Sequence, residues 1–137
     1  IGFVYASNFS LGVNLFYRIV SYAGKLMSSF EGYDPYIEEA HHQFKKDAPS
    51  GTGIVLQQKL EDAYKADKSI PVTSVRAGYI PGEHRIGFDS LVDTISLTHT
   101  ARSREGFAEG SLVAAKWIAD KKGFFPFDTV VNDLIQN

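Results

Sequence analysis

This sequence predicts a domain of mixed helices and strands, on three observations. Runs of strand length, apolar or alternating, recur at residues 1–6, 36–42, 72–79, 84–89 and 93–99. Stretches with helical periodicity fill 11–30 and 54–65, and another begins near Ser103. In 137 residues, 44% are hydrophobic, enough for a real core in a single domain spanning 1–137.

The first run, Ile1-Gly2-Phe3-Val4-Tyr5-Ala6, is nearly all apolar and reads as a buried parallel strand that needs neighbours on both sides. Because the chain opens inside it, the expectation is a piece of a longer polypeptide. Ser10 is placed to cap the next helix. That helix carries two apolar stripes, one through Val13, Phe16, Val20 and Met27, the other through Leu15, Ile19, Tyr22 and Leu26. Two apolar faces predict a central helix packed on two sides. Gly32-Tyr33-Asp34-Pro35 ends it and turns the chain into a strand.

After the helix at 54–65, residues 65–69 are a polar connection. Pro81-Gly82 supplies turn chemistry for a hairpin between the strands at 72–79 and 84–89. The next strand alternates, with Ile95, Leu97 and His99 on one side and Thr94, Ser96 and Thr98 on the other. The last long helix is expected to start at a Ser103 cap, to bury Phe107, Gly110, Ser111, Ala114, Ala115 and Ile118, and to close on Lys121-Lys122-Gly123 with a C-cap glycine.

Composition narrows the function. The net charge of −2 gives no reason to expect a nucleic-acid partner or an anionic membrane surface. No apolar run reaches the ~18 residues of a membrane span. Cysteine is absent, which removes disulfides and thiolate metal sites and makes the cytoplasm the default location. Against this slightly acidic background, residues 39–52 concentrate His41, His42, Lys45 and Lys46 just before Ser50-Gly51-Thr52. The stretch joins a strand to a helix, where α/β folds commonly place ligands. Unpaired backbone N–H groups, two hydroxyls and the positive end of the helix dipole make an anion site, with proton donors upstream. Adjacent histidines on a strand point to opposite faces, and no third ligand has suitable spacing, so no metal is expected.

The string Glu39-x-His41-His42-x-x-Lys45-x-Asp47-Ala48-Pro49-Ser50-Gly51-Thr52 resembles the signature of the dihydrodipicolinate reductase family. Asn8-Phe9-Ser10-x-Gly12-Val13-Asn14, Arg76-x-Gly78, Gly82-x-His84 and the Ser103-Arg104…Phe107-Ala108-x-Gly110 string match further family patterns, in the same order. Departures are Asp93 for the usual Glu, Ser111 for the usual Ala, a shortened 65–69 connection and a degraded 125–130 tail.

The resemblance implies an α+β substrate domain with a mixed sheet of about four strands packed against helices. That sheet would join others in a homotetramer, and residues 1–10 would end a nucleotide-binding domain not contained in the chain. It implies NADPH- or NADH-dependent reduction of a cyclic imine dicarboxylate on the diaminopimelate and lysine pathway. On this reading His41 is the catalytic acid and Lys45 binds a substrate carboxylate and shares the donor role. His42, Ser50, Gly51 and Thr52 hold a carboxylate, and Asn8, Phe9 and Arg104 lie by the cofactor. Arg76, His84 and His99 are expected to be structural. No Gly-x-Gly-x-x-Gly loop follows any strand, so the chain alone is expected to be inactive. The alternative is a non-catalytic dicarboxylate-binding or oligomerisation module, against which the intact His41, His42 and Lys45 cluster argues.

Overall fold

A computed structural model describes residues 1–136. The order is β1 (Gly2–Tyr5), α1 (Leu11–Met27), β2 (Asp34–His41), α2 (Gly51–Tyr64), β3 (Val72–Arg76), β4 (Glu83–Asp89), β5 (Thr94–Thr100), α3 (Glu105–Ile118), β6 (Gly123–Pro126) and α4 (Phe127–Gln136). The chain forms two compact units, Phe16–Arg102 and the remainder.

In the larger unit the four strands form one mixed sheet of order β3-β2-β4-β5. β2 runs parallel to β3 and antiparallel to β4, and β4 is antiparallel to β5. This is the α+β architecture with a mixed four-stranded sheet that the sequence led one to expect. The hairpin between β3 and β4 does not form, because β2 lies between them. The chain reaches β3 from β2 through α2, and a parallel pair requires such a crossover. β4 then takes the opposite side of β2.

Period-two alternation makes this sheet. Along β2, Pro35, Ile37, Glu39 and His41 are buried, while their neighbours are half-buried or exposed. On β4, His84, Ile86 and Phe88 point the same way. The register aligns Val72, Ile37, Ile86 and Leu97 into an apolar row. The next row is Ser74, Glu39, His84 and His99. Phe16, Val20 and Met27 of α1 and Leu56 and Leu60 of α2 cover the apolar row, with Ile70 and Phe88. Burying a Leu or Ile side chain contributes ~1.5–3 kcal/mol, so this core anchors the unit.

Only one of the two apolar stripes on α1 is covered. Ile19, Tyr22 and Leu26 are more than half exposed, whereas Val20 is fully buried. The expectation of a helix buried on both sides is corrected for this chain.

The smaller unit holds the parallel pair β1–β6, with α3 and α4. Ala114, Phe127, Val130 and Val131 form its core, joined by Val4, Phe9, Leu11, Val113 and Trp117. α4 is not among the helices expected from the sequence, although Phe127, Val130 and Val131 have helical spacing. β1 is parallel, as expected, but not buried: Phe3 and Tyr5 are about half exposed. On α3 the buried residues are Gly110 and Ala114, whereas Ser111 and Ala115 are exposed. A Cβ at Gly110 would lie 1.6 Å from the Phe9 carbonyl oxygen, so only glycine permits this approach. Arg104, not Ser103, is the N-cap, although the Ser103 hydroxyl accepts from Glu105 N–H. The helix ends at Ala119 in right-handed geometry, and Gly123 (φ +126°) opens β6 instead of capping α3.

Candidate active site around His41 and the start of α2

The end of β2, the loop that follows it and the first turn of α2 bring most of the sequence-selected residues of 41–52 together. β2 delivers Glu39 and His41 on its buried face, two residues apart. His41 Nδ1–H donates to Glu39 Oε2 at 2.5 Å. Arg76, the β3 partner of His41 in register, grips the same carboxylate, with Nη1 on Oε2 at 3.1 Å and Nη2 on Oε1 at 2.8 Å. Its Nη2 also donates to the Asp47 carbonyl at 2.7 Å, tying the loop to the sheet. Ser50 N–H reaches Glu39 Oε1 at 3.3 Å. Glu39, whose side chain is fully buried, is the hub.

The first turn of α2 is prepared in the same way. Ser50 is the N-cap, its Oγ accepting from Gly53 N–H at 3.0 Å. The Ser50 hydroxyl also hydrogen-bonds His84 Nε2, at 3.0 Å. His84 lies edge-on to His41, ring centroids 5.1 Å apart. Gly51 is exposed, with open space where a side chain would be. The Thr52 side chain hydrogen-bonds the Tyr17 hydroxyl, and burial raises the Tyr17 pKa against that bond. His42 lies just past the end of β2, with its ring 6.2 Å from Phe44. Among the described residues its buried Nδ1 has no hydrogen-bond partner. Lys45 is half-buried and pairs with exposed Asp47 at 3.0 Å, whereas Lys46 is exposed.

The electrostatics follow from burial and charge. Burial would raise the pKa of Glu39, but hydrogen bonds from Arg76 and Ser74 and the charges of His41 and Arg76 bring it down to about 2. Burial lowers that of His41, and Glu39 opposes this while Lys45 and Arg76 reinforce it. His84 is pushed down to about 4, by burial first and then by His41, with Glu39 opposing. The site without ligand therefore holds neutral imidazoles beside an ionised, guanidinium-bound carboxylate.

Glu39, His41 and His84 each bring one possible metal-ligand atom within 4.8 Å of the others. Spacing along the chain could not reveal this trio, because β4 supplies the third member. Both carboxylate oxygens are bonded to Arg76, and the Ser50 hydroxyl occupies His84 Nε2. A cation there would face a guanidinium, so the cluster is a hydrogen-bond network around an imidazole.

Asn8, Phe9 and Arg104, which the resemblance places by the cofactor, lie in the smaller unit. Asn8 Oδ1 accepts from Ser10 N–H at 2.8 Å, and the Phe9 ring packs on Phe127 with centroids 5.1 Å apart. Arg104 is exposed, its guanidinium 5.8 Å from the Phe107 ring centroid. The sequence marks Arg76 and His84 as structural and gives Glu39 no role, yet all three surround His41. The available signal was periodicity: Glu39 shares a β2 face with Ile37 and His41, so a carboxylate had to be buried beside an imidazole.

On this α+β scaffold the site has the make-up of a small-anion site: a helix N-terminus with hydroxyls, a nearby lysine and an oriented imidazole. Residues 12–131 match the family described as dihydrodipicolinate reductase, C-terminus, and the chain belongs to that family. Curated relatives named 4-hydroxy-tetrahydrodipicolinate reductase include one from Christiangramia forsetii, 45% identical over 98% of this chain and 61% of the relative. Another from Archaeoglobus fulgidus is 41% identical over 91% of this chain and 55% of the relative. The chain thus spans little more than half the length of the curated relatives it matches. The fold resembles a dipicolinate-bound dihydrodipicolinate reductase from Paenisporosarcina sp. TG-14, with TM-score 0.76 and 23% identity over 92% of this chain and 53% of that one.

Proposed function

We propose that this chain is the substrate-binding and catalytic part of a 4-hydroxy-tetrahydrodipicolinate reductase, acting on a cyclic imine dicarboxylate in lysine and diaminopimelate biosynthesis. The observation that carries the reading is the preorganised group of His41, Lys45 and the Ser50-capped start of α2. One substrate carboxylate is taken by the N–H groups and hydroxyls of Ser50, Gly51 and Thr52, where the helix dipole favours negative charge. Lys45 leaves exposed Asp47 for the ligand. The buried Nδ1 of His42, without a partner among the described residues, can carry the N–H that donates to a substrate carboxylate. With Nδ1 of His41 committed to Glu39, Nε2 is the atom that delivers a proton. A dianionic ligand offsets the burial that keeps His41 neutral, so binding draws a proton onto the ring.

The cofactor, NADPH or NADH, supplies the hydride. In this reading Arg104 contributes a cation towards it, and Asn8 and Phe9 contribute backbone. Residues 1–10 belong with a nucleotide-binding part, for which the exposed rings of Phe3, Tyr5 and Phe124 offer apolar surface. The cytoplasm is the proposed location; among the described residues no helix is long and apolar enough to cross a membrane. A homotetramer through the sheet is supported by the free edge and hydroxyl row of β5, with Thr94, Ser96 and Thr98 exposed.

The test compares Lys45→Ala with Lys46→Ala for binding of pyridine-2,6-dicarboxylate. Loss of a charge-assisted contact costs about 1.5–3 kcal/mol, so Lys45→Ala weakens binding roughly 10–100-fold. Lys46→Ala leaves it nearly unchanged. Equal losses at the two positions contradict the assignment.

A further inference from the structure

From the geometry we infer that Glu39 is the positioning residue of this site: clamped by Arg76, it holds His41 as the Nδ1–H tautomer with Nε2 presented for proton transfer. The inference rests on the proposed reductase reading for its purpose, but not for its structural content.

Which ring nitrogen of a histidine carries the proton is set by the hydrogen bond the other nitrogen makes. At His41 the Nδ1 partner is a carboxylate at 2.5 Å, an acceptor that demands N–H. The carboxylate cannot swing away, because it takes two guanidinium donors, a backbone N–H and the Ser74 hydroxyl. Nε2 is on the other side of the ring, towards Gly82. A Cβ built at Gly82 (φ +152°) would sit 3.2 Å from it, so glycine there leaves the nitrogen uncrowded.

Arg76 serves a second purpose. The Glu39 carboxylate favours a proton on His41, while burial above all, then Lys45 and the Arg76 guanidinium, oppose it and leave the imidazole able to titrate. The other groups facing the ring are His84 from β4, itself neutral and bonded to Ser50, and Lys45 from the loop. The opposed effects of Glu39 and Arg76 therefore make the two side chains separable by experiment.

The decisive measurement is long-range proton–nitrogen correlation of the histidines in this chain, between pH 5 and 8. In the wild type, His41 should appear with Nδ1 protonated and Nε2 bare. Arg76→Gln should keep that tautomer and raise the His41 titration midpoint, because the opposing cation is gone. Glu39→Met/Arg76→Met removes both charges together, an exchange that buried ion pairs commonly tolerate. In it the tautomer preference should be lost and the midpoint should fall below that of Arg76→Gln. A role limited to packing would move neither quantity. The inference is overturned if wild-type His41 is the Nε2–H tautomer, or if the two variants leave tautomer and midpoint as in the wild type. Should the double variant not fold, the wild-type spectrum and Arg76→Gln still decide. A parallel titration with pyridine-2,6-dicarboxylate separates the two readings: no binding with the tautomer as described removes the reductase reading alone.

Discussion

Replacing His41 with Gln should lower turnover about 10²–10⁴-fold, the usual contribution of a general acid or base, with a smaller change in KM. The assay is steady-state kinetics of a chimera joining this chain to the remaining part of the Christiangramia forsetii relative. Gln keeps a polar group in the space of the imidazole but cannot deliver a proton. The loss falls on kcat because proton donation stabilises the transition state, whereas the start of α2 and Lys45 hold ground state and transition state alike. If only KM rises, His41 is a binding group and the proton comes from Lys45 or water.

Mild acid should destabilise the larger unit well before its carboxylates protonate. His84 is held at about 4, below its ordinary 6.5, so the unfolded chain takes up the proton first. The stability it represents is complete above about pH 6.5 and is lost as pH falls towards 4. The gap corresponds to something on the order of 3 kcal/mol. His41 and His99 are shifted in the same direction, chiefly by burial, and add to the loss. A second loss comes from Glu39, whose depressed pKa stabilises the fold above about 4.5 and fails as pH approaches 2. Urea unfolding followed by far-ultraviolet circular dichroism at steps from pH 7.5 to 4 reads the first window. The His84→Gln variant, which keeps a hydrogen-bond partner for the Ser50 hydroxyl, should flatten it. A wild-type curve that is level from pH 7 to 4 refutes the neutral, buried His84.

Much of this site could be read in the sequence because the loop and helix start that form it are contiguous. His41, Lys45, Ser50, Gly51 and Thr52 fall within one strand–loop–helix segment, and local signals of capping and charge suffice there. Glu39 was also in view, but its role depends on Arg76 from β3 and His84 from β4. Those enter only through sheet register, which a single sequence does not encode locally. The same limit explains the missing β3–β4 hairpin: Pro81-Gly82 does turn the chain, but the parallel pairing of β2 and β3 decides where β4 can go. On α1, apolarity identified two stripes without saying which is covered in this chain. α4 is short and follows Pro126 of β6 without a connecting loop, so its helical spacing at Phe127, Val130 and Val131 carries little local signal.

The central claim, that residues 41–52 form a dicarboxylate site, is tested most directly by calorimetric titration of this chain with pyridine-2,6-dicarboxylate. Acetate serves as the control, and the titration is repeated in two buffers of different ionisation enthalpy. Saturable binding of the dicarboxylate, none of acetate at the same concentration, and net proton uptake near neutral pH are the expected results. Absence of binding by a folded sample, or equal binding of acetate, would contradict the account.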